Sequence, residues 1–472
     1  MIADDSGEAM DKLRISDNGR YFVHESGEPF LWLADTAWTI PSRLKWDDVI
    51  YYLQCRKEQG FTVLQMVALD PEHNEEMRNP AGIPALRDND LLKPNEAYFD
   101  YLDWVLDKAE EYGFYVLLLP VWGELVVGWD WSGNSHEKTV TEDNAYQFGS
   151  WMGHRMRHRN NLLWCLGGDR MPICGGEDYR SVWRKLAEGL SFGLTGETLR
   201  YNQDRDKWKS LLMTYHPCRE PDTGLCSTLS YWGEEEAWIS YVMLQSGHIA
   251  SKKNYELIRD ERARSRIYPV WDGEPAYEMM PTTWPFEDEP SYFGTGIVRQ
   301  RAYCSLLAGS FGFTYGHASV WCAASGKDRD KFCPMTWDEA IHSEGSRQMT
   351  VLRQFMEQFA LHEFVPCQDR LLRQASEKDE LERHEQAAYS PDRHQMLVYF
   401  SADTAEEIDL NGVFNERIYG GWFDPVNGSV TQISDCMNMD NGILHIRNCS
   451  ENGTDRVLIL TPDPSDLSLD ES

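Results

Sequence analysis

Residues 266–278, Arg-Ile-Tyr-Pro-Val-Trp-Asp-Gly-Glu-Pro-Ala-Tyr-Glu, carry the pattern that decides the fold of this chain. The apolar run at 267–271 predicts a short buried strand, and a Gly-Glu-Pro sequence ends that strand around Glu274. Residues 161–170, Asn-Leu-Leu-Trp-Cys-Leu-Gly-Gly-Asp-Arg, repeat the pattern with an apolar strand, two glycines and then Asp169. Each of these two strands therefore delivers a carboxylate at its C-terminal end.

The same alternation of apolar strands with helical segments runs through most of the chain. Amphipathic patterns that end at glycine, such as 46–59 before Gly60 and 98–112 before Gly113, predict helices between the strands. The other six predicted strands lie at 30–34, 61–69, 114–121, 211–215, 238–244 and 312–315. Continuous apolar strands covered by helices imply a parallel sheet, and eight of them predict an α/β fold of the (β/α)8 TIM barrel type.

The two ends of the chain have a different composition. A turn at 16–20 between short apolar segments predicts an N-terminal β-hairpin. Beyond residue 385, short strand-like segments are separated by Asn-Gly turns at 411–412, 427–428 and 441–442, which predicts a C-terminal antiparallel β-sandwich. We therefore expect a catalytic barrel with its hairpin at 1–365, a linker at 366–385 and the sandwich at 386–472.

The composition excludes several classes of function. Lys and Arg number 45 against 77 Asp and Glu, and the net charge of −32 disfavours nucleic acid and anionic membranes as partners. The sequence has no run of 18 apolar residues, no basic and apolar secretory leader at its start, and eleven irregularly spaced cysteines, a pattern typical of a cytoplasmic protein. Neither a phosphate-binding loop nor a dinucleotide-binding motif occurs, so we expect no cofactor.

The two strand-end carboxylates predict the chemistry. Asp169 closes the fourth predicted strand and Glu274 the seventh, so the two residues should face each other across the mouth of the barrel. A retaining glycosidase needs two carboxyl groups about 5–5.5 Å apart, one as nucleophile and one as general acid/base. We assign Glu274 as the nucleophile and Asp169 as the acid/base, whose pKa burial beside a second negative charge would raise. The alternative is that each carboxylate only caps a helix.

Other polar and aromatic residues follow the predicted strands and are candidates for substrate binding. Asp35 could bind a sugar hydroxyl or cap a helix, Glu124 could be a third carboxyl group of the site, and Asp272 is expected to support Glu274 from the same side of the strand. Three histidines suit sugar binding better than zinc, because they lack a short metal-ligand spacing, and we expect no metal. The aromatic residues could form a sugar platform or belong to the core. The candidates are Asp35, Trp38, Trp122, Glu124, His216, Gln245, His248, Tyr277, His317 and Trp321.

At these residues the sequence resembles the apiosidase-like enzymes of glycoside hydrolase family 140, followed by a domain of the type labelled collagen-binding. The matching pieces are Asn-Gly-Arg-Tyr at 18–21, Pro-Phe-Leu-Trp-Leu-Ala-Asp-Thr-Ala-Trp at 29–38, Gly-Gly-Asp at 167–169, Gln-Ser-Gly-His at 245–248, Asp-Gly-Glu-Pro at 272–275, Tyr-Gly-His at 315–317 and Trp-Phe-Asp-Pro-Val-Asn-Gly at 422–428. The resemblance implies a (β/α)8 barrel beside a sandwich, with the catalytic carboxylates at Asp169 and Glu274.

The resemblance also implies an activity, the removal of a terminal β-linked apiose by an exo-acting retaining enzyme. Without an export signal in the sequence, a small glycoside or oligosaccharide is the expected substrate. Two alternatives remain open: a glycosidase for another pentose or furanose, such as an arabinofuranosidase, and a carbohydrate-binding protein without catalysis.

Overall fold

The structure is a computed structural model of the 472-residue chain. It describes residues 10–71, 76–130, 133–220, 222–249, 253–283, 287–373, 384–414, 417–433, 438–448 and 454–468. All structural statements below refer to these residues.

Eight buried strands stand where the sequence predicts them, with boundaries that shift by a few residues. They are β1 (Trp32–Thr36), β2 (Val63–Val67), β3 (Tyr115–Leu119), β4 (Leu162–Gly167), β5 (Met213–His216), β6 (Val242–Leu244), β7 (Val270–Asp272) and β8 (Gly312–Tyr315). Six of them form one parallel sheet in the order β8-β1-β2-β3-β4-β5, and β6 pairs with β7 in a separate parallel ladder. The parallel, curled sheet of a TIM-like fold is confirmed, whereas a continuous eight-stranded ladder is not observed.

The β6–β7 pair lies between the two edges of the six-stranded sheet. The amide of Ser240, just before β6, donates to the carbonyl of Met213 in β5 at 2.8 Å. On the other side, the amide of Phe311, just before β8, donates to the carbonyl of Val270 in β7 at 3.1 Å. These bonds place the β6–β7 pair beside both edge strands of the six-stranded sheet.

Helices alternate with the strands and cover the outer face of the sheet. Their amphipathic patterns put apolar side chains toward the strands. The α-helices are Ile40–Arg43, Trp46–Glu58, Glu96–Glu111, Glu124–Val127, Ala145–Met156, Arg180–Thr195, Arg205–Lys209, Asn254–Arg262, Thr295–Leu307, Trp337–Ala340 and Glu344–Phe359, and the 3-10 helices are Arg87–Asn89, Thr228–Ser230, Leu361–Glu363, Gln368–Arg370 and Pro464–Leu467.

Alternation along each strand divides the core of the barrel domain into two layers. In β1, Leu33 packs in the outer cluster between the sheet and the helices, whereas Trp32 and Ala34 pack in the inner cluster enclosed by the sheet. Because successive side chains of a strand point to opposite faces, Asp35 shares the outer face with Leu33. The position of a residue within its strand therefore decides whether it can reach the mouth.

The predicted N-terminal hairpin is present and covers the end of the sheet opposite the mouth. It pairs Arg14–Ile15 with Phe22–Val23. A separate two-stranded ladder, which pairs Ile173–Cys174 with Glu177–Asp178, lies in the segment after β4. The ring of Phe22 lies 5.2 Å from that of Tyr241 and 5.1 Å from that of Phe311, two residues that precede β6 and β8. These contacts close the amino end of the barrel with aromatic rings.

The C-terminal region consists of two antiparallel sheets. The larger contains Val365–Pro366, Glu385–Ser390, Gln395–Phe400, Arg456–Thr461, Tyr419–Phe423 and Val430–Gln432, in that order, and the smaller contains Ala405–Asp409, Ile443–Arg447 and Asn438–Asp440. The first strand of the larger sheet begins at Val365, the last residue of the predicted barrel domain. Half of the predicted linker, 374–383, lies outside the described residues. The antiparallel nature of this region is confirmed.

Two central strands of the larger sheet are buried on both faces. Met396 and Val398 pack toward the smaller sheet, whereas Leu397 and Tyr399 belong to the same buried cluster as the helices of the barrel. The Tyr399 ring stacks on Tyr303 of helix Thr295–Leu307 with centroids 5.4 Å apart. The barrel and the C-terminal sheets therefore share one continuous apolar core.

A buried ion pair fixes the same contact. Arg299, on helix Thr295–Leu307, donates from Nε to Asp455 at 2.8 Å, and the hydroxyl of Tyr399 donates to the same carboxylate at 2.8 Å. Since a buried carboxylate needs a partner, these contacts specify how the two regions pack together. In the described part of the chain, no helix is both long and apolar enough to cross a bilayer.

Candidate active site

Two glycines place Asp169 at the mouth directly after β4. Gly167 and Gly168 have φ angles of 91° and 108°, and Asp169 itself has a φ of 52°. A Cβ on Gly167 would lie 2.3 Å from the carbonyl oxygen of His216, and a Cβ on Gly168 would lie 2.7 Å from the ring of Trp122. The Gly-Gly pair is therefore required both by the backbone conformation and by the lack of space.

Glu274 follows β7 and is held by two histidines. Its side chain is 8% exposed, His216 Nε2 lies 2.8 Å from Oε2, and His248 Nε2 lies 3.3 Å from Oε1. Burial by itself would raise the pKa of Glu274, but the hydrogen bonds and charges of His216 and His248 outweigh it and hold that pKa well below its usual range. Glu274 is thus an anion at neutral pH.

Both nitrogens of the His216 imidazole have hydrogen-bond partners, and the backbone N–H of Asp169 lies 3.2 Å from Nδ1. Its Nδ1 lies 2.7 Å from the carbonyl oxygen of Pro217, an acceptor, and its Nε2 faces the Glu274 carboxylate, also an acceptor. Burial lowers the pKa of His216, but the adjacent Glu274 and Asp169 carboxylates raise it above its ordinary value overall. The hydrogen bond between His216 Nε2 and Glu274 Oε2 therefore favours the ionised form of Glu274.

A single amide joins the two predicted catalytic carboxylates. Gln245 follows β6, and its Nε2 donates to Asp169 Oδ1 at 2.6 Å and to Glu274 Oε1 at 3.0 Å. Because one nitrogen lies this close to both oxygens, those two oxygens are at most about 5.6 Å apart. The predicted meeting of Asp169 and Glu274 over the open end of the barrel is therefore found in the structure.

Asp169 has the opposite electrostatic environment to Glu274. Burial and the neighbouring negative charge of Glu274 raise the pKa of Asp169 to about 6, against the opposing effects of Arg170, His216 and the Gln245 amide. Its neighbour Arg170 donates to its backbone carbonyl at 2.8 Å. Asp169 can therefore hold a proton near neutral pH while Glu274 stays charged.

Aromatic rings form the walls beside these carboxylates. Trp38 and Trp122 lie 5.6 Å apart and both contact the His216 ring, at 5.3 and 5.6 Å. The Tyr277 ring lies 4.3 Å from that of His248. In the described structure the indole Nε1 of Trp122 is buried without a hydrogen-bond partner.

Glu124 is linked to Asp169 through Arg170, which contacts both residues. Its carboxylate contacts His136 at 3.1 Å and Arg170 at 3.8 Å. Burial raises the pKa of Glu124, and the charges of Arg170 and His136 oppose that rise. Neither His136 nor Arg170 was predicted from the sequence, although the Asp-Arg pair at 169–170 was an available signal for Arg170.

Asp35 does not line the mouth as predicted. Asp35 is 0% exposed and pairs with Arg56 Nε at 2.7 Å, and Tyr52 also donates to its carboxylate. Because β1 extends through Thr36, Asp35 faces the helix Trp46–Glu58 and not the mouth. The expectation that Asp35 binds a sugar hydroxyl is corrected: its position makes it a structural ion pair.

His317 and Trp321 follow β8 in the chain and are buried. His317 Nδ1 accepts the amide of Ser319 at 3.0 Å, and burial together with the charge of Arg56 lowers the pKa of His317 to about 3. Trp321 is 7% exposed and packs in the inner cluster near Phe332. A contact between His317 and the sugar stays a prediction.

Asp272 supports the site from a different side than expected. The strand ends at Asp272, so alternation does not continue to Glu274, and Asp272 instead accepts from the Ser246 hydroxyl at 2.6 Å and from Asn254 at 3.2 Å. Ser246 lies between Gln245 and Gly247, whose amide donates to the Glu274 carbonyl at 3.0 Å. Asp272 therefore fixes the loop that carries Gln245.

The side chains of the site define the chemistry that it can perform. Within the described ranges, no group of three or more His, Cys, Asp or Glu side chains could hold a metal ion. The arrangement comprises one protonatable carboxyl, one ionised carboxylate held by histidines, and aromatic walls. Such a pair of carboxyl groups with separated pKa values suits acid/base and nucleophilic catalysis at an acetal.

Comparison with known proteins agrees with this arrangement. The family model described as "Apiosidase-like, catalytic domain" matches residues 16–363, and the model described as "Putative collagen-binding domain of a collagenase" matches residues 365–461. A search of curated proteins finds no match.

Solved structures show the same architecture over the whole chain. A protein titled "Glycoside hydrolase" is 25% identical with a TM-score of 0.80, covering 97% of this chain and 98% of its own. A glycoside hydrolase family 5 protein from Bacteroides vulgatus ATCC 8482 is also 25% identical with a TM-score of 0.80, covering 98% and 96%. A third, from the same organism, is 15% identical with a TM-score of 0.64 and shows the fold alone.

Fold, paired carboxyl groups and structural relatives together define the class: this protein is a glycoside hydrolase. Since the family model covers most of the chain, the protein belongs to the apiosidase-like family. Its substrate is therefore a sugar.

Proposed function

We propose that the protein is an exo-acting retaining glycoside hydrolase that releases a terminal sugar, β-linked apiose first, from a small glycoside or oligosaccharide. The observation that carries this proposal is the bridge from Gln245 to Asp169 and Glu274, which limits their nearest oxygens to about 5.6 Å. This separation suits a retaining enzyme, whose carboxyl groups lie about 5–5.5 Å apart, better than an inverting enzyme, which needs about 6.5–9.5 Å.

The first chemical step uses the opposite charge states of the pair. Asp169, with its raised pKa, gives its proton to the glycosidic oxygen as the bond to the anomeric carbon breaks. Glu274 attacks that carbon and forms a glycosyl ester, and the alcohol leaves. His216 and His248 supply hydrogen bonds to the Glu274 carboxylate, which keep it ionised and oriented until it reacts.

In the second step Asp169 acts as a base instead of an acid. Asp169, now an anion, removes a proton from water, and the resulting hydroxide attacks the anomeric carbon of the glycosyl ester. Glu274 leaves as a carboxylate and is again stabilised by the two histidines. The Trp122 indole and the Tyr277 ring are the proposed contacts to the sugar, together with Trp38, Glu124, His317 and Trp321.

The choice of apiose rests on family membership and not on a contact seen here. The enzyme belongs to the apiosidase-like family, and a furanose such as arabinofuranose is the nearest alternative. We also propose that β6 and β7 complete a closed (β/α)8 barrel, that residues 366–385 link the barrel domain at 1–365 to the sandwich at 386–472, and that the protein is cytoplasmic. Cell fractionation tests the last point.

A leaving-group experiment tests the assigned role of Asp169. With Asp169→Ala, cleavage of an aryl apioside whose phenol is a good leaving group should persist at the first step, whereas an alkyl apioside should lose at least about a hundredfold in kcat/KM. Azide should then restore turnover, because it attacks the glycosyl ester without needing a base. Proton NMR of the initial product should show a β-configured glycosyl azide.

The outcomes separate the possible mechanisms. An initial product of inverted configuration with the wild-type enzyme would overturn the retaining mechanism. Equal losses on aryl and alkyl apiosides would remove the acid/base role from Asp169. Cleavage of arabinofuranosides but not apiosides by the wild-type enzyme would keep the mechanism and change the sugar.

A further inference from the structure

Gln245 is the one described side chain that contacts both catalytic candidates through the same atom. Its Nε2 lies 2.6 Å from Asp169 Oδ1 and 3.0 Å from Glu274 Oε1. On the other side of the amide, Oε1 accepts the backbone N–H of Arg219. That bond fixes which end of the amide faces the carboxylates, because a backbone N–H can only donate.

We propose that Gln245 is a positioning residue of the glycosidase reaction: it sets the separation of Asp169 and Glu274 and controls the pH at which Asp169 releases its proton. This inference rests on the proposed function for its catalytic meaning. It replaces the prediction that Gln245 binds the sugar. The residue does not need to touch the substrate in this role.

The hydrogen-bond capacity of the amide supports this assignment. An amide NH2 has two hydrogens, and here each has a carboxylate acceptor; the carbonyl oxygen already has the Arg219 amide. A sugar hydroxyl that accepted from Nε2 would have to displace one of the two carboxylates. Both charge-assisted bonds are stronger than a bond to a neutral hydroxyl, so the carboxylates are the preferred partners.

The support behind Gln245 indicates that its position is fixed. Its backbone amide donates to the carbonyl of Cys226 at 2.9 Å, and the next residue, Ser246, is held by Asp272 through the hydroxyl and the backbone amide. The Gln245 side chain is 5% exposed. A group held this firmly can keep two carboxylates that repel each other at a constant distance.

The bridge also favours the ionised form of Asp169. A hydrogen bond donated to a carboxylate stabilises the anion, so the Gln245 amide lowers the pKa of Asp169 against the burial that raises it. Loss of the amide should move the pKa of Asp169 upward. Since Asp169 acts as an acid in the first step, the alkaline limb of kcat/KM should then move to higher pH.

The test uses three substitutions at one position and a control. Gln245→Met keeps length and burial but has no donor; Gln245→Asn keeps the amide but shortens its reach; Gln245→Glu keeps the shape and replaces the donor by a third carboxyl group. Gln65→Met is the matched control, because Gln65 is buried in the barrel and its amide donates to a backbone carbonyl, that of Gly273, at 3.0 Å.

We expect kcat with an aryl glycoside to fall at least about tenfold in Gln245→Met, with a smaller change in KM, since displacement of catalytic groups by about 1 Å can cost up to a hundredfold. The alkaline limb should move upward in Gln245→Met, and further in Gln245→Glu, where the added acid repels both carboxylates. Gln245→Asn should resemble Gln245→Met. In Gln65→Met both limbs should stay at their wild-type positions, whatever happens to its stability.

A second measurement does not depend on activity. Aspartate labelled with ¹³C at the carboxyl carbon reports the titration of Asp169 directly, and Asp169→Asn identifies its signal. The titration midpoint should lie higher in Gln245→Met than in the wild-type enzyme.

These measurements distinguish the failure of this inference from failure of the proposed function. A Gln245→Met enzyme that keeps both pH limbs and the Asp169 midpoint, and only raises KM, would overturn the positioning role and return Gln245 to sugar binding. A shifted midpoint in a protein that cleaves no glycoside would support the positioning role and refute the proposed function.

Discussion

The barrel contains two clusters of buried carboxylates at the carboxyl ends of its strands, and they differ in their partners. On the outer face of β1, Asp35 pairs with Arg56, and both side chains are 0% exposed. At the mouth, Asp169 and Glu274 share an amide, and the other side-chain partners of Glu274 are the histidines His216 and His248.

The two clusters differ in whether their side chains can gain or lose a proton near neutral pH. An arginine stays protonated at every ordinary pH, so the cluster of Asp35 and Arg56 is fixed in one state and serves the packing of helix Trp46–Glu58 on the sheet. A histidine and a carboxyl group with a raised pKa can exchange protons near neutral pH. Buried acids paired with arginine therefore indicate structure, and buried acids joined by groups that titrate indicate catalysis.

The strongest test of this contrast removes the negative charge of Glu274. Glu274→Gln should reduce kcat at least about a thousandfold, which corresponds to about 4 kcal/mol, because no glycosyl ester can form. Pre-steady-state release of an aryl leaving group measures the loss.

Glu278→Gln is the matched control for that prediction. Glu278 is also buried, four residues further on, but it accepts from the hydroxyls of Tyr315 at 2.6 Å and Thr295 at 2.7 Å and so joins β8 to a helix. Its replacement should lower stability and leave kcat of the folded enzyme within a few fold. Similar kcat losses in both variants would remove the distinction.

The structural cluster should respond in stability instead of activity. Arg56→Met leaves Asp35 buried without its cation and should lower the free energy of unfolding by about 3–5 kcal/mol, measured by urea denaturation. Specific activity of the remaining folded protein should be unchanged. Arg14→Met provides the control, since the Arg14 and Asp17 pair is exposed and should give no measurable change.

The smallest expected effect is a dependence of stability on pH. The folded pKa of Asp169 is about 6, above its unfolded value of about 3.9, so the folded state binds more protons between these values. Asp169 therefore costs stability as the pH rises through this window. Asp169→Asn should raise the melting temperature, relative to wild type, more at pH 7 than at pH 4; an equal difference at both pH values would contradict the raised pKa.

The sequence predicted the features that depend on strand order. Strands were recognisable from their apolar runs, and glycines marked their ends, so Asp169, Glu274, His216 and His248 could be assigned to the mouth. Asp35 could not be placed in this way. The strand was predicted to end at residue 34, but β1 ends two residues later, at Thr36. Asp35 therefore lies within the strand, where alternation turns its side chain toward the helices.

Contacts between side chains far apart in the sequence were also not predictable. Gln245 was assigned to the mouth, but its bridge to both carboxylates depends on the turn of the backbone after β6, which no local pattern encodes. His136 lies on a long excursion after β3, and its contact with Glu124 follows from the path of that loop. Local patterns indicate which residues reach the mouth, and the loops decide what they touch.

The strands at Gln395–Phe400 and Arg456–Thr461, whose alternate residues serve two different neighbours, have an evolutionary consequence. Each substituted side chain there must pack either against the helices of the barrel or against the smaller sheet. Recombination that exchanged only one of the two regions would expose an apolar surface that no longer fits its partner. The two regions should accordingly be inherited as a unit, and a barrel produced alone should aggregate even though every catalytic group is present.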